Sequence, residues 1–170
     1  GLESRGLGDV YKRQIQLWGN FGSQWGINKT MAQVHALLLT SDEALSTDDI
    51  METLAISRGG ANVNLRELVV WNLVYKTAKP GDRKEFFVAE KDIWEVAKRI
   101  TRERQRREIE PLMHHLNRLK AVDEADPQSL NFVKTVTDIE RLVGRMNSAS
   151  DTLMKMEENA FFGSIIRLLK

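Results

Sequence analysis

The chain has 170 residues, 42% of them hydrophobic and 29% charged, with a formal net charge of +1. That balance suits one folded domain, or a small domain with an appendage, and is too apolar for a disordered chain. No uncharged apolar run reaches the roughly 18 residues of a membrane span, and with no cysteine there is no thiol catalysis, disulfide, thiol redox sensor or Cys-based zinc site.

Residues 1–14, GLESRGLGDVYKRQ, lack apolar periodicity and the apolar core of a signal peptide. They resemble a translated linker scar and are set aside as a non-native or disordered tail. A first helix is predicted over residues 15–24, with Trp18, Phe21 and Trp25 on one face. Asn28 caps a second, through Met31, Val34, His35 and Leu38. Ser46 is the N-cap of a short third helix, with Asp49 standing in for the Glu of a capping box. Ala55 and Ile56 form a tight turn. Ser57 then caps a helix to about Trp71, where Asn72 tolerates the positive φ that ends it.

The period next changes from helix to strand. Residues 73–78 and 85–89 are β-prone, and Pro80-Gly81 between them signals a turn with basic residues at its tip. Helix, short helix, capped helix and hairpin follow the order of a winged helix-turn-helix. The expected fold is mainly α with a small β-wing (α+β). It comprises a winged helix-turn-helix domain over residues 15–91 and a helical dimerisation region over residues 92–170.

In that second region Asp92 caps a long helix, and Pro111 kinks it or begins a new one. Asp126-Pro127 opens another, in which Phe132, Val136, Ile139, Val143 and Met146 form a heptad-like seam. A final helix carries Leu153, Met154, Phe161, Phe162, Ile165, Ile166, Leu168 and Leu169. This is more apolar surface than one small bundle readily hides, at roughly 1.5–3 kcal/mol for each Leu or Ile kept from water. A homodimer whose seams cover one another is the economical solution, against a monomeric helical hairpin packed on the wing domain.

Charge and side-chain size then point to a function. On the helix that Ser57 caps, Ala61, Leu65, Leu68 and Val69 share the core side, and Gly59, Asn62, Val63 and Arg66 fall opposite. A helix laid in a major groove needs small residues where its backbone approaches DNA. Asn pairs with adenine, and Arg with guanine or a phosphate. The N–H groups at the start of the helix, beside Ser57 and Arg58, suit a phosphate oxygen. Lys76, Lys79, Arg83 and Lys84 cluster at the hairpin, which can clamp the backbone while the helix reads bases. Residues 98–107 carry six basic side chains. They either extend the phosphate footprint or pair within their own helix with Glu103, Glu108 and Glu110.

The run from Ser57 to Leu68, with N-L-R-E-L, followed by W-N-L-V and the G-D-R-K of residues 81–84, resembles the GbsR branch of MarR-type transcriptional regulators. So do residues 89–94 and 102–111, and the likeness covers about residues 26–119. Val69-Val70 stand where the family usually has acids, and Asn72 replaces a common glycine. The resemblance implies a bacterial, cytoplasmic DNA-binding dimer, often a repressor, whose partners are a double-stranded operator and a second copy of itself. In some relatives the regulated genes serve osmoprotectant uptake or synthesis, under a choline-like effector. Trp18, Phe21, Trp25 and Trp94 are accordingly candidates for a cage around a quaternary amine, held by cation–π attraction. The other reading makes them packing and interface anchors.

Enzymatic activity finds no support, and no cofactor or metal site is expected. His35 lies in an apolar helix as a core residue. Glu110 and His114 share a face, but two ligands do not make a metal site. A winged helix used only for protein–protein contact is the alternative function, and the basic hairpin argues against it.

Overall fold

The computed structural model describes residues 2–24, 26–121 and 126–170, with side chains from residue 8 onward. The chain divides into two compact units, residues 1–99 and 100–170.

The first unit begins with α1 (Leu2–Gln24) and α2 (Lys29–Thr40). Thus α1 starts at Leu2 rather than at residue 15, taking in most of the segment set aside above. Its inner side is small: Ile15, Gly19 and Gly22 are buried, one helical turn apart. A Cβ added to Gly22 would lie 2.7 Å from Ala32 Cβ, and one on Gly19 would lie 2.5 Å from Gln33 Cγ. The missing side chains therefore let α1 approach α2 closely. Tyr11 adds a hydrogen bond to Thr40 Oγ1. On α2 every residue from Met31 to Leu38 is buried, and Asn28 caps it by accepting from Met31 N at 3.1 Å.

Next come β1 (Leu45–Ser46), α3 (Thr47–Leu54) and α4 (Arg58–Val70). The box at the start of α3 is complete: Ser46 Oγ accepts from Asp49 N, and Asp49 Oδ2 accepts from Ser46 N at 2.7 Å. Ala55, at φ 52°, reverses the chain between α3 and α4. Ser57 Oγ accepts from Gly60 N at 3.1 Å and caps α4, while Asn72, at φ 57°, follows its end. The hairpin is β2 (Val74–Thr77) and β3 (Phe86–Ala89), paired antiparallel with Tyr75 opposite Val88. Gly81 holds φ at 79° and Asp82 N donates to Lys79 O, so Pro80 and Gly81 occupy the centre of a tight turn. The strand not foreseen is β1. It pairs with the outer side of β3, Leu45 opposite Phe87, giving the sheet order β1-β3-β2. Val34, Leu38, Ile50, Leu65, Leu68, Leu73 and Val74 are fully buried and form the core.

From the wing the chain enters α5 (Ile93–Arg104), whose first N–H groups are capped by Asp92 Oδ1. Lys91 Nζ donates to the carbonyls of Leu38, Leu39 and Ser41, closing the C-terminus of α2. Arg99 donates to Asn72 O and to the Tyr75 hydroxyl and pairs with Glu90 at 3.2 Å. These bonds attach the first two turns of α5 to the wing domain, which explains why the units divide inside this helix rather than at residue 91.

The second unit continues through a π-turn (Gln105–Ile109) into α6 (Glu110–Leu119), then α7 (Pro127–Lys155) and α8 (Glu158–Leu168). Pro111 lies just after the π-turn, within a helical run unbroken from α5 to α6, and has no N–H to donate to the turn before it. Leu116 of α6 and Val136 of α7 are buried. Gln105 Nε2 donates to Asn147 Oδ1 and Asp151 Oδ1 on α7. The predicted seam belongs to two faces: Val136 and Val143 turn inward, whereas Phe132, Ile139 and Met146 are exposed. Leu153 and Met154 belong to α7, and α8 begins only after Met156.

Candidate nucleic-acid interface

The polar side of α4 faces solvent as its spacing requires. Ala61, Leu65 and Leu68 are buried, and Val69 is half-buried. Gly59, Asn62, Val63 and Arg66 are exposed, together with Ser57 and Arg58. Val63 leaves 58% of its surface open, and no atom comes within 4 Å of a Cβ placed on Gly59. Nothing in the described chain plugs this face near its start. Buried Asn64 donates instead to Gly60 O at 2.8 Å, so it serves the helix rather than a ligand.

Beside α4 stands the hairpin. Asn62, Arg66, Lys76 and Glu85 rim a concavity of about 320 Å³ whose floor includes Leu65, Val69 and Phe87. Here α4 and the wing strands lie side by side. Arg83 and Lys84 are exposed on the connection between the strands, and Lys79 is half-buried with its Nζ 4.5 Å from the centre of the Phe86 ring. The basic tip and the outward helix face thus occur in one unit.

Several cations predicted to meet phosphate have acidic partners. Arg58 reaches Asp48 at 2.6 Å, Lys84 reaches the same carboxylate at 3.3 Å, Lys79 approaches Glu43 at 3.9 Å, and Lys76 pairs with Glu85 at 3.2 Å. Hydrogen bonds from Arg58 and then Lys84 hold the Asp48 carboxyl below the usual carboxylate range. Among the described residues, Arg66 and Arg83 make no ion pair. Sequence reasoning missed Asp48, because its role depends on two partners 10 and 36 positions away.

Acids also accompany the basic run of residues 98–107: Lys98 pairs with Glu95, Arg99 with Glu90, and Arg106 and Arg107 with Glu103. Glu103 is held below its ordinary range, first by Arg106. Of the aromatic candidates, Trp18 and Phe21 lie exposed on α1, Trp94 is half-buried on α5, and Trp25 lies outside the described residues. No group of three or more metal-binding side chains gathers among the described residues. No helix of the structure is long and apolar enough to cross a membrane.

A capped outward helix, a preceding helix joined by a tight turn, and a basic hairpin beside them define a winged helix-turn-helix. Residues 25–85 match the model of the MarR family. Over this segment, about a third of its length, the chain is similar to that family. No curated protein matches the chain. Among solved structures, one described as a transcriptional regulator is 19% identical, covering 84% of this chain and 99% of its own, at a TM-score of 0.54. It shares the fold. A MepR mutant from S. aureus bound to an oligodeoxyribonucleotide is 12% identical over 99% of this chain and 91% of its own, at 0.37. A transcriptional regulator from Thermotoga maritima is 16% identical over 85% and 96%, at 0.40.

Proposed function

We propose that the chain is a sequence-specific DNA-binding transcriptional regulator, a repressor of the GbsR type, acting as a homodimer on a pseudo-palindromic operator in a bacterial cytoplasm. The observation that carries this reading is the exposed face of α4, Gly59, Asn62, Val63 and Arg66, next to the basic hairpin. Two such helices would enter successive major grooves roughly 34–36 Å apart. Ser57, Arg58, Lys79, Arg83 and Lys84 would hold phosphates, and Asn62 and Arg66 would read bases. Apolar surface exposed on α1, α7 and α8 supports the dimer: Leu17, Trp18 and Phe21; Phe132, Ile139, Leu142 and Met146; Phe162, Ile166 and Leu168.

The test is a fluorescence titration of a labelled duplex, selected from a random pool by the protein, across ionic strengths. Arg83→Ala with Lys84→Ala weakens binding to every sequence and flattens the log–log salt slope by about one for each phosphate no longer neutralised. Unchanged affinity and slope would remove the wing from the interface.

Regulation of osmoprotectant uptake or synthesis is the finer part of the proposal. Trp18, Phe21, Trp25 and Trp94 would enclose a quaternary ammonium such as choline. Such an effector must favour one arrangement of the two reading helices over another, or it shifts nothing. Calorimetry with choline and glycine betaine tests this. Heats equal to buffer dilution leave these aromatics as packing residues.

The acidic partners of Arg58, Lys79 and Lys84 favour a second reading, a winged helix that binds proteins and not DNA. It prevails if no duplex binds even at low salt while a protein partner is recovered.

A further inference from the structure

Asp48 and Asp49 are neighbours in the first turn of α3, yet they do different work. Asp49 is committed to the fold, accepting from both the N–H and the hydroxyl of Ser46. Asp48 caps nothing, and its side chain is about half exposed. Its two oxygens instead face two cations from two other parts of the wing domain. Oδ1 meets Arg58 NH2 at 2.6 Å, at the start of the reading helix, and Oδ2 meets Lys84 Nζ at 3.3 Å, on the wing.

An arginine fork and a lysine converging on one carboxylate form a site for a single anion, and both groups bind phosphate by the same chemistry. From this arrangement we propose that Asp48 is an intramolecular stand-in for a DNA phosphate, whose charge limits binding to DNA of any sequence. The proposal rests on the DNA-binding reading above and assigns it an affinity-limiting residue. An approaching phosphate must either draw Arg58 and Lys84 away from Asp48 or lie beside its negative charge. Either way, the three groups together offer the DNA one positive charge instead of two. Asn62 and Arg66, which face the base edges in that reading, are no part of this cluster. Weak binding everywhere matters because a genome presents a vast excess of competing non-specific sites.

The experiment measures anisotropy of a labelled duplex of scrambled sequence, titrated with the full chain at several salt concentrations. Asp48→Asn and Asp48→Ser bind it roughly 3- to 10-fold more tightly than the parent, with a log–log salt slope steeper by about one. Asp138→Asn removes the same charge from α7, where Asp138 pairs with Arg141, and changes neither quantity. Adding Arg58→Ala to Asp48→Asn cancels the gain. Asp48 variants no tighter than Asp138→Asn overturn the proposal, as does loss of helical signal in both, which would assign Asp48 to the fold. In those cases the parent still binds its selected duplex and the DNA-binding reading survives. If the parent binds no duplex at low salt, that reading falls as well.

Discussion

Asn62 and Arg66 are exposed on the outward face of α4, beside the concavity they share with the hairpin, so their truncation should register in DNA recognition and little in stability. Asn62→Ala or Arg66→Ala is expected to cost roughly 1–3 kcal/mol of binding and to relax preference at particular base pairs. Competition with duplexes carrying single base changes measures this, and a uniform loss across all of them would reassign the residue to phosphates. His35 makes the opposite case. It is buried on α2, its Nε2 has no hydrogen-bond partner among the described residues, and burial lowers its pKa to about 4. The unfolded chain takes up a proton near pH 6.5, whereas the folded chain does so only near pH 4. The neutral ring's contribution is therefore complete above pH 6.5 and lost as pH falls from 6.5 towards 4. The loss is on the order of 3 kcal/mol. Urea midpoints at pH 7 and pH 5 should diverge in the parent and converge in His35→Leu.

Local chemistry was readable at the scale of single elements. Asn28, Ser46 with Asp49, Ser57 and Asn72 act within three or four positions of themselves, and each starts or ends the helix its side chain predicts. What escaped depends on distant partners. The two residues of β1 form a strand only because Phe86 and Phe87, some 40 positions on, offer them an edge. The exposed half of the α7 pattern has the same cause, since the burial of Val136 and the exposure of Phe132 depend on which side of α7 its neighbours take. Gly19 and Gly22 are another instance: in sequence they weaken a helix, and in the fold they admit α2. Alanine at either position tests this. Each substitution gains about 1 kcal/mol in helix propensity. Against that, a Cβ at Gly19 meets Cγ of buried Gln33 at 2.5 Å and one at Gly22 meets Cβ of Ala32 at 2.7 Å, and overpacking of about 1–3 kcal/mol makes both Gly19→Ala and Gly22→Ala destabilising. Thermal melts of the two variants decide it.

At the scale of the whole molecule, the proposed homodimer joins two reading helices. Leu142 and Met146 are the most exposed of the large apolar side chains on α7. Leu142→Glu with Met146→Glu should leave each wing domain folded while sedimentation finds single chains. Affinity for a two-half-site duplex should fall roughly 100-fold or more, because the second half-site is no longer reached intramolecularly. A one-half-site duplex should bind both proteins alike. The family match covers residues 25–85, the reading head, and leaves the α7 and α8 surfaces to be tested in this way.

The π-turn at Gln105–Ile109 absorbs one surplus position. By winding wider than an α-helix it lets Gln105, at its start, and Met113, beyond its end, both reach α7. Deleting Arg106 would restore ordinary winding and change little in the side that α6 turns to α7, whereas one residue added within α6 itself would carry the positions after it round by about 100°. Along this helix an extra residue is harmless at one place and disruptive at the next.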